Sequence, residues 1–283
     1  YYLDCLSQAS YLVGDEGTRR AVVVDPRRDV EIYLDDADAH GLRIERVIET
    51  HIHADFLSGH LELAAKTGAA ISYGEGADVD FPIEPLRDGD QLRLGDVTLQ
   101  VLATPGHTPE SVSVVVRERP DDAVPYGVLT GDTMFIGDVG RPDLLSGSGV
   151  APDELARLLY RSLHEKLLAL PDATRVFPAH GAGSACGKNL STATESTNCQ
   201  TSERWVDRVV VVSVAGVVDM LTAPQLEDAI RKAVSQEPAG LIVDFTAVDF
   251  LASAGMGILV AVHDEVTPKV TLCVVAEGPA TSR

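Results

Sequence analysis

Basic residues are scarce in this chain. Lysine and arginine number 23 against 43 aspartates and glutamates, a formal charge of −20 over 283 residues. That balance excludes a nucleic-acid partner, which needs a basic face. Anionic small ligands would have to be captured by local basic groups such as Arg141 and Lys188. Cysteine is scarce too. Cys5, Cys186, Cys199 and Cys273 are scattered, which fits neither a zinc knuckle nor a disulfide framework and makes a reducing compartment the default. No apolar run approaches the roughly eighteen residues of a membrane-spanning helix, and no signal-peptide pattern is visible. The chain opens at Tyr1 rather than methionine, as expected if a short N-terminal stretch had been trimmed. With 45% hydrophobic residues, the expectation is a cytoplasmic protein with no membrane association. Its length predicts about two domains.

What is present is histidine in a particular setting. Arg46-Val47-Ile48-Glu49 reads as a strand, and Thr50-His51-Ile52-His53-Ala54-Asp55-Phe56 follows it directly. Alternate residues of a regular strand point to opposite faces. Both imidazoles can meet one ion only if the chain turns, which Gly59 and a helical pattern over 61–66 suggest. The same design recurs three times. Strand 97–102 leads into Ala103-Thr104-Pro105-Gly106-His107-Thr108, Gly127-Val128-Leu129-Thr130-Gly131 ends at Asp132, and Arg175-Val176-Phe177-Pro178-Ala179 ends at His180-Gly181. Four of eight histidines therefore sit where a strand gives way to a loop, the arrangement of a metal site held by a rigid sheet. His40, His60, His164 and His263 lie in helical or surface contexts and are expected to be solvated.

H-x-H-x-D, P-G-H-T, G-D and P-A-H-G in this order resemble the metallo-β-lactamase superfamily over residues 1–195. The resemblance implies an α/β fold, an αββα sandwich with its metal at one edge of two sheets. In the dinuclear hydrolases of that superfamily, such as glyoxalase II, the motif continues as D-H and the last histidine helps hold a second metal. Here Phe56 stands in that position, and an aromatic ring offers no lone pair. His51, His107 and Asp132 remain, a facial triad suited to one Fe(II) per chain. His53, Asp55 and His180 then orient ligands and tune their basicity. The pattern resembles the persulfide dioxygenase (sulfur dioxygenase) branch, whose substrates are a thiol persulfide and O2. The loop Met134-Phe135-Ile136-Gly137-Asp138-Val139-Gly140-Arg141-Pro142-Asp143 also resembles that branch. The resemblance implies that Arg141 binds a carboxylate of the thiol carrier, a task suited to a forked guanidinium. The alternative is a surface salt bridge. His180-Gly181-Ala182-Gly183-Ser184-Ala185-Cys186-Gly187-Lys188 resembles the members fused to rhodanese domains. Cys186, expected to be exposed in this small-residue loop, either carries a persulfide or is a spectator.

Residues 1–25 predict two strands about a Gly14–Gly17 turn, 31–41 a helix closed by glycine, 70–73 and 91–94 further strands, and 152–170 a long amphipathic helix. Ser, Thr and Asn dominate 191–203 without apolar period, which predicts a linker, placed at 196–205. Beyond it no C-x-x-G-x-R cradle of the rhodanese kind occurs. A β-branched strand at 208–214, a helix at 221–234, a strand at 240–245, a helix at 258–262 and a strand at 270–275 predict a small open α/β layer. Gly216-Val217-Val218-Asp219, Leu221-Thr222-Ala223, Asp244-Phe245 and the turn at Ser253 resemble the STAS domain of anti-sigma factor antagonists over 206–283. Such domains normally continue further, so this copy, ending at Arg283, is expected to be shortened. The resemblance implies an anti-sigma factor or kinase-like partner and makes Ser253 the candidate phosphorylation site, at a helix N-terminus where phosphate would be welcome. A plain helix cap is the rival role. The family usually has aspartate before that serine, and here it is Ala252. A homo-oligomer is also expected.

Three functions follow: an iron dioxygenase with a STAS module for docking or regulation, a zinc thioester hydrolase of glyoxalase II type, or a metal and persulfide sensor acting through its STAS half.

Overall fold

The computed structural model describes residues 1–143, 151–182, 184, 186–187, 196–197, 200–218, 222–251, 253–266 and 270–276. Lys188 lies outside them, and of Ser253 only the backbone is described. The chain divides into two compact units, Tyr1–Phe135 with Val139–Thr194, and Ile136–Asp138 with Glu195–Arg283.

In the first unit a short antiparallel pair, β1 (Tyr2–Leu3) and β2 (Gln8–Ala9), precedes two sheets. The first sheet contains β3 (Tyr11–Asp15), β4 (Arg20–Val24), β5 (Arg43–Ile48), β6 (Ala70–Gly74) and β7 (Glu84–Leu86), neighbours in that order. β3 and β4 are antiparallel, and β4 to β7 are parallel. The crossovers are α1 (Glu31–Ala39) and α2 (His60–Thr67), because parallel strands need a connection long enough to return along the sheet. Both faces of β4 are covered, so its sequence is apolar at every interior position rather than alternating. Val22 and Val24 point between the sheets, with Ile48, Leu99, Val101, Val112 and Val114. Ala21 and Val23 point the other way, onto Tyr33 and Ala37 of α1 and Leu63 of α2.

The second sheet contains β8 (Gln91–Arg93), β9 (Thr98–Ala103), β10 (Val112–Arg117), β11 (Gly127–Gly131) and β12 (Arg175–Pro178), again neighbours in chain order. β9 and β11 are each antiparallel to β10, and β12 is parallel to β11. β9, β11 and β12 therefore end at the same edge of the sheet. α3 (Pro152–Ser162) continues as a π-helical turn, Leu163–Leu167, and buries Leu155, Leu159, Leu163 and Leu167. The predicted helix over 152–170 thus changes its winding at Leu163, where a wider turn keeps the leucine stripe buried.

The second unit has a two-residue strand, β13 (Ser196–Thr197), then β14 (Gln200–Val206), β15 (Val209–Val218), β16 (Gly240–Leu251) and β17 (Thr271–Val275). β14 to β17 form one sheet in that order, antiparallel at β14–β15 and parallel elsewhere. α4 (Ala223–Val234) and α5 (Ser253–Val266) bury Leu226, Ile230 and Val262 against Val210, Val212, Leu241, Val243 and Phe245. Two expectations are corrected here. The predicted linker at 196–205 is mostly strand: its polar composition reflects an edge position, where Ser202, Arg204 and Trp205 are exposed and Glu203, Arg204 and Trp205 pair with Val212, Val211 and Val210. The helix predicted at 258–262 begins at Ser253, because Gly255 lets it approach β15 so closely that an added Cβ would lie 2.6 Å from Val218 Cγ1. Among the described residues no helix is long and apolar enough to cross a membrane.

Candidate metal centre

β5, β9, β11 and β12 each end in a side chain directed to one place. His51, His107 and Asp132 are buried, and one ligand atom from each lies within 4.8 Å of the others. Asp132 Oδ2 is 3.7 Å from His51 Nε2 and 3.6 Å from His107 Nε2.

Local hydrogen bonds set which nitrogen faces inward. His107 Nδ1 lies 3.1 Å from the carbonyl oxygen of Arg141, which can only accept, so Nδ1 carries the proton and Nε2 keeps its lone pair. Thr50 does the same for His51. Its hydroxyl donates to Asp25 Oδ2 at 2.8 Å, so Oγ1 accepts from His51 Nδ1 at 3.0 Å. The Thr50 N–H also donates to Asp25 Oδ1 at 2.7 Å, so one buried carboxylate aligns the start of the loop. Ile52 N donates to Glu110 Oε1 at 2.9 Å. Burial, followed by the charge on neighbouring His53, lowers the His51 pKa well below the ordinary imidazole range. Burial alone would raise Asp132, but the histidines around it, His180 foremost, hold its carboxyl far below the usual range. Two imidazole nitrogens and one carboxylate therefore meet at a buried point.

His180 Nδ1 donates to Asp132 Oδ1 at 2.7 Å, which leaves Oδ2 as a buried oxygen with no hydrogen-bond partner. An orphaned carboxylate oxygen facing two imidazole lone pairs is what a divalent cation satisfies, so these residues fit a metal. The three protein donors leave other coordination positions for ligands, an arrangement found both in non-haem iron oxygenases and in catalytic zinc sites.

The other predicted residues are placed differently. His180 is close enough to the centre to orient Asp132, and its Nε2 is 2.8 Å from Asp55 Oδ2. Burial opposes charge on His180, but Asp132 overrides it and raises its pKa to about 9. His53 turns from the triad: its Nε2 is 3.1 Å from both Asp25 Oδ1 and Glu49 Oε2. Burial opposes its charge, and the two carboxylates raise its pKa well above the ordinary range. The Phe56 ring lies against it, centroids 4.4 Å apart. Arg141 contributes its backbone to the centre, while its side chain forks onto Asp143 at 3.0 and 2.8 Å. Cys186, expected to be exposed, is 5% exposed. Burial, with Asp132 nearby, pushes its thiol pKa up, which disfavours the reactive thiolate. His60, expected to be solvated, instead holds Glu49 Oε1 with Nδ1 at 3.0 Å and packs on Phe81. The small residues around Cys186 and the surface pattern of α2 gave no sign of this packing.

Sequence reasoning did not assign Asp25, Glu49 or Glu110 to the site. The available signal was that Asp25 and Glu49 each follow a fully apolar strand end, where a carboxylate has a reason to be.

A two-sheet sandwich with imidazole and carboxylate ligands on loops at one edge defines a metalloprotein. The chain belongs to the Metallo-beta-lactamase superfamily, whose family model matches residues 3–180, and it carries a STAS domain, matched over 203–283. It is 35% identical over 179 residues to a human protein named persulfide dioxygenase ETHE1, mitochondrial, covering 60% of this chain and 63% of that relative. It is 37% identical over 172 residues to a hydroxyacylglutathione hydrolase of Methylococcus capsulatus, covering 60% of each. The crystal structure of ETHE1 from Myxococcus xanthus superposes with a TM-score of 0.56 at 32% identity, covering 66% of this chain and 77% of that one. The chain thus spans less than two thirds of the length of these curated relatives.

Proposed function

We propose that the chain is a mononuclear non-haem Fe(II) dioxygenase that oxidises a low-molecular-weight thiol persulfide to sulfite and thiol. The observation carrying this reading is the buried His51–His107–Asp132 triad beside Phe56. The likeness to proteins named persulfide dioxygenase supports it. The balance is RSSH + O2 + H2O → RSH + sulfite + two protons: the terminal sulfur loses four electrons and O2 gains them. Iron bound there would supply adjacent open positions and a reversible electron donor.

The chain's own groups do the rest. Thr50 and the Arg141 carbonyl fix the imidazole tautomers, and His180 holds Asp132 so that one oxygen faces the centre. The shell of buried residues limits water, which protects a reactive sulfur species. Arg141 binds a carboxylate of the carrier, which would exchange for the Asp143 carboxylate already paired with it. The STAS domain serves docking or regulation, with Ser253 at the first position of α5 as the candidate phosphorylation site.

Full-length protein loaded anaerobically with iron is tested with glutathione and coenzyme A persulfides. One iron per chain, O2 consumption and an equal yield of sulfite are expected. Two tightly held zinc ions with thioester hydrolysis would replace this reading by the hydrolase one, which the likeness to the hydroxyacylglutathione hydrolase favours. Metal binding with neither reaction would leave a sensor.

A further inference from the structure

The geometry points to Asp25 and Glu49 as positioning residues that withhold His53 from the metal, so that the centre keeps only two imidazoles. This rests on the proposed mononuclear reading and concerns why a third histidine, two residues from a ligand, stays out of the coordination sphere.

His53 groups with Asp25 and Glu49, within 4.8 Å, and not with His51, His107 and Asp132. Its ring centroid is nevertheless 4.1 Å from that of His51, so distance alone does not keep it away. Its Nε2 hydrogen-bonds Asp25 Oδ1 at 3.1 Å and stands at ion-pair distance, 3.1 Å, from Glu49 Oε2. Both carboxylates are themselves fixed. Asp25 accepts from Thr50 N and Oγ1, and Glu49 Oε1 accepts from Ser58 Oγ and meets His60 Nδ1 at 3.0 Å. Phe56 packs on the same imidazole. His53 Nδ1 has no hydrogen-bond partner although it is buried, so the ring carries an unused donor or acceptor atom close to the centre.

A buried polar atom is rarely left unpaired without reason. Here the stronger pairing at Nε2 fixes the ring and Nδ1 is left over. The consequence is chemical. A third imidazole would fill a position that a persulfide sulfur and dioxygen both need, and would favour a closed, zinc-like donor set over an open one. Holding His53 by carboxylates leaves those positions to substrates.

The test counts coordinated imidazoles by X-ray absorption on full-length protein loaded with Fe(II), with circular dichroism to check folding. Two are expected in the parent. His53→Gln, which keeps a donor where Nε2 stood, should also show two and bind Fe(II) within about threefold of the parent, whereas loss of a true ligand would cost far more. The Asp25→Asn/Glu49→Ala double variant should rise to three. Three imidazoles in the parent, a weakened His53→Gln, or a folded double variant that stays at two would overturn the inference. If the double variant does not fold, Glu49→Gln, which removes one of the two carboxylate charges at the same shape, is read in its place, with a count above two expected and a folded Glu49→Gln that stays at two overturning the inference. A second metal per chain, by contrast, would sink the functional reading and not this count.

Discussion

Thr50 shows how much one hydroxyl can decide. Its Oγ1 receives the His51 proton only because its own hydrogen is committed to Asp25. Thr50→Val keeps the shape and removes both bonds. The imidazole then loses the partner that fixed its tautomer, and groups in that position typically contribute 10–100-fold, roughly 1–3 kcal/mol, to metal affinity. We expect Fe(II) binding to weaken within that range while the fold survives. Competition against a chelator measures it, and unchanged affinity would mean that Thr50 does not set the tautomer.

Asp15 is a second residue whose effect exceeds its size. It is 6% exposed and accepts from Thr18 N and Oγ1 and from Asp96 N and Val97 N, which ties the β3–β4 turn to the turn before β9. The Thr18 N–H, then that of Val97, hold its pKa down to about 2. A carboxylate depressed on folding stabilises the folded form above its unfolded pKa near ~4, and that stability is lost as pH falls toward about 2. The contribution is at most about 2.5 kcal/mol. Asp15→Asn should therefore be less stable near neutral pH and show a flatter loss of stability between about pH 4 and pH 2. Urea midpoints for parent and variant across that window are the measurement, and parallel curves would refute the assignment.

At the scale of elements, the centre depends on loops pressed together without room to spare. A Cβ on Gly140 would stand 1.8 Å from the carbonyl oxygen of Asp132 and 3.1 Å from His107 Cβ. Gly140→Ala must therefore push apart two ligand-bearing loops. The expected result is a loss of metal occupancy of at least tenfold, about 1.4 kcal/mol, with little change in far-ultraviolet circular dichroism. Full iron content in the variant would show that the loops can yield. Gly106 plays a similar part, since its φ of +152° and a Cβ 2.4 Å from Leu159 Cα leave no space beneath the His107 turn.

The same elements show what a sequence can disclose. Strand-end histidines and aspartate were legible because strand, turn and ligand follow each other locally, and the ends of β5, β9, β11 and β12 carry His51, His107, Asp132 and His180 together. The role of His53 was not legible. H-x-H fixes only that two imidazoles are near in sequence, and the partners that claim the second, Asp25 and Glu49, are settled by tertiary packing. β14 escaped detection for another reason. An edge strand with exposed Arg204, Trp205 and Val206 carries little apolar alternation, and its pairing with β15 is invisible until the sheet forms. Arg141 was read from the family resemblance with a surface salt bridge as the alternative, and its fork onto Asp143 is such a salt bridge.

For the whole molecule, the two units have cores that share no residue. Val210, Val212, Leu226, Ile230, Leu241 and Phe245 belong to the second, and the clusters around Val22 and Tyr33 to the first. The chain has one tryptophan, Trp205, and it lies on β14 of the second unit. Its emission therefore reports unfolding of the STAS sheet, while metal loaded at the His51–His107–Asp132 site would report the first unit. Leu226 is fully buried, so Leu226→Ala removes several methylenes and leaves a cavity, a change that costs about 2–5 kcal/mol. The Trp205 transition in guanidinium should move to clearly lower denaturant, and iron per chain under native conditions should stay at the parent value. That outcome follows from separate cores, since among the described residues the cluster around Leu226 contains none of His51, His107 and Asp132. Loss of iron at denaturant concentrations where the parent retains it, in step with the shifted Trp205 transition, would instead show that the metal centre draws its stability from the STAS half.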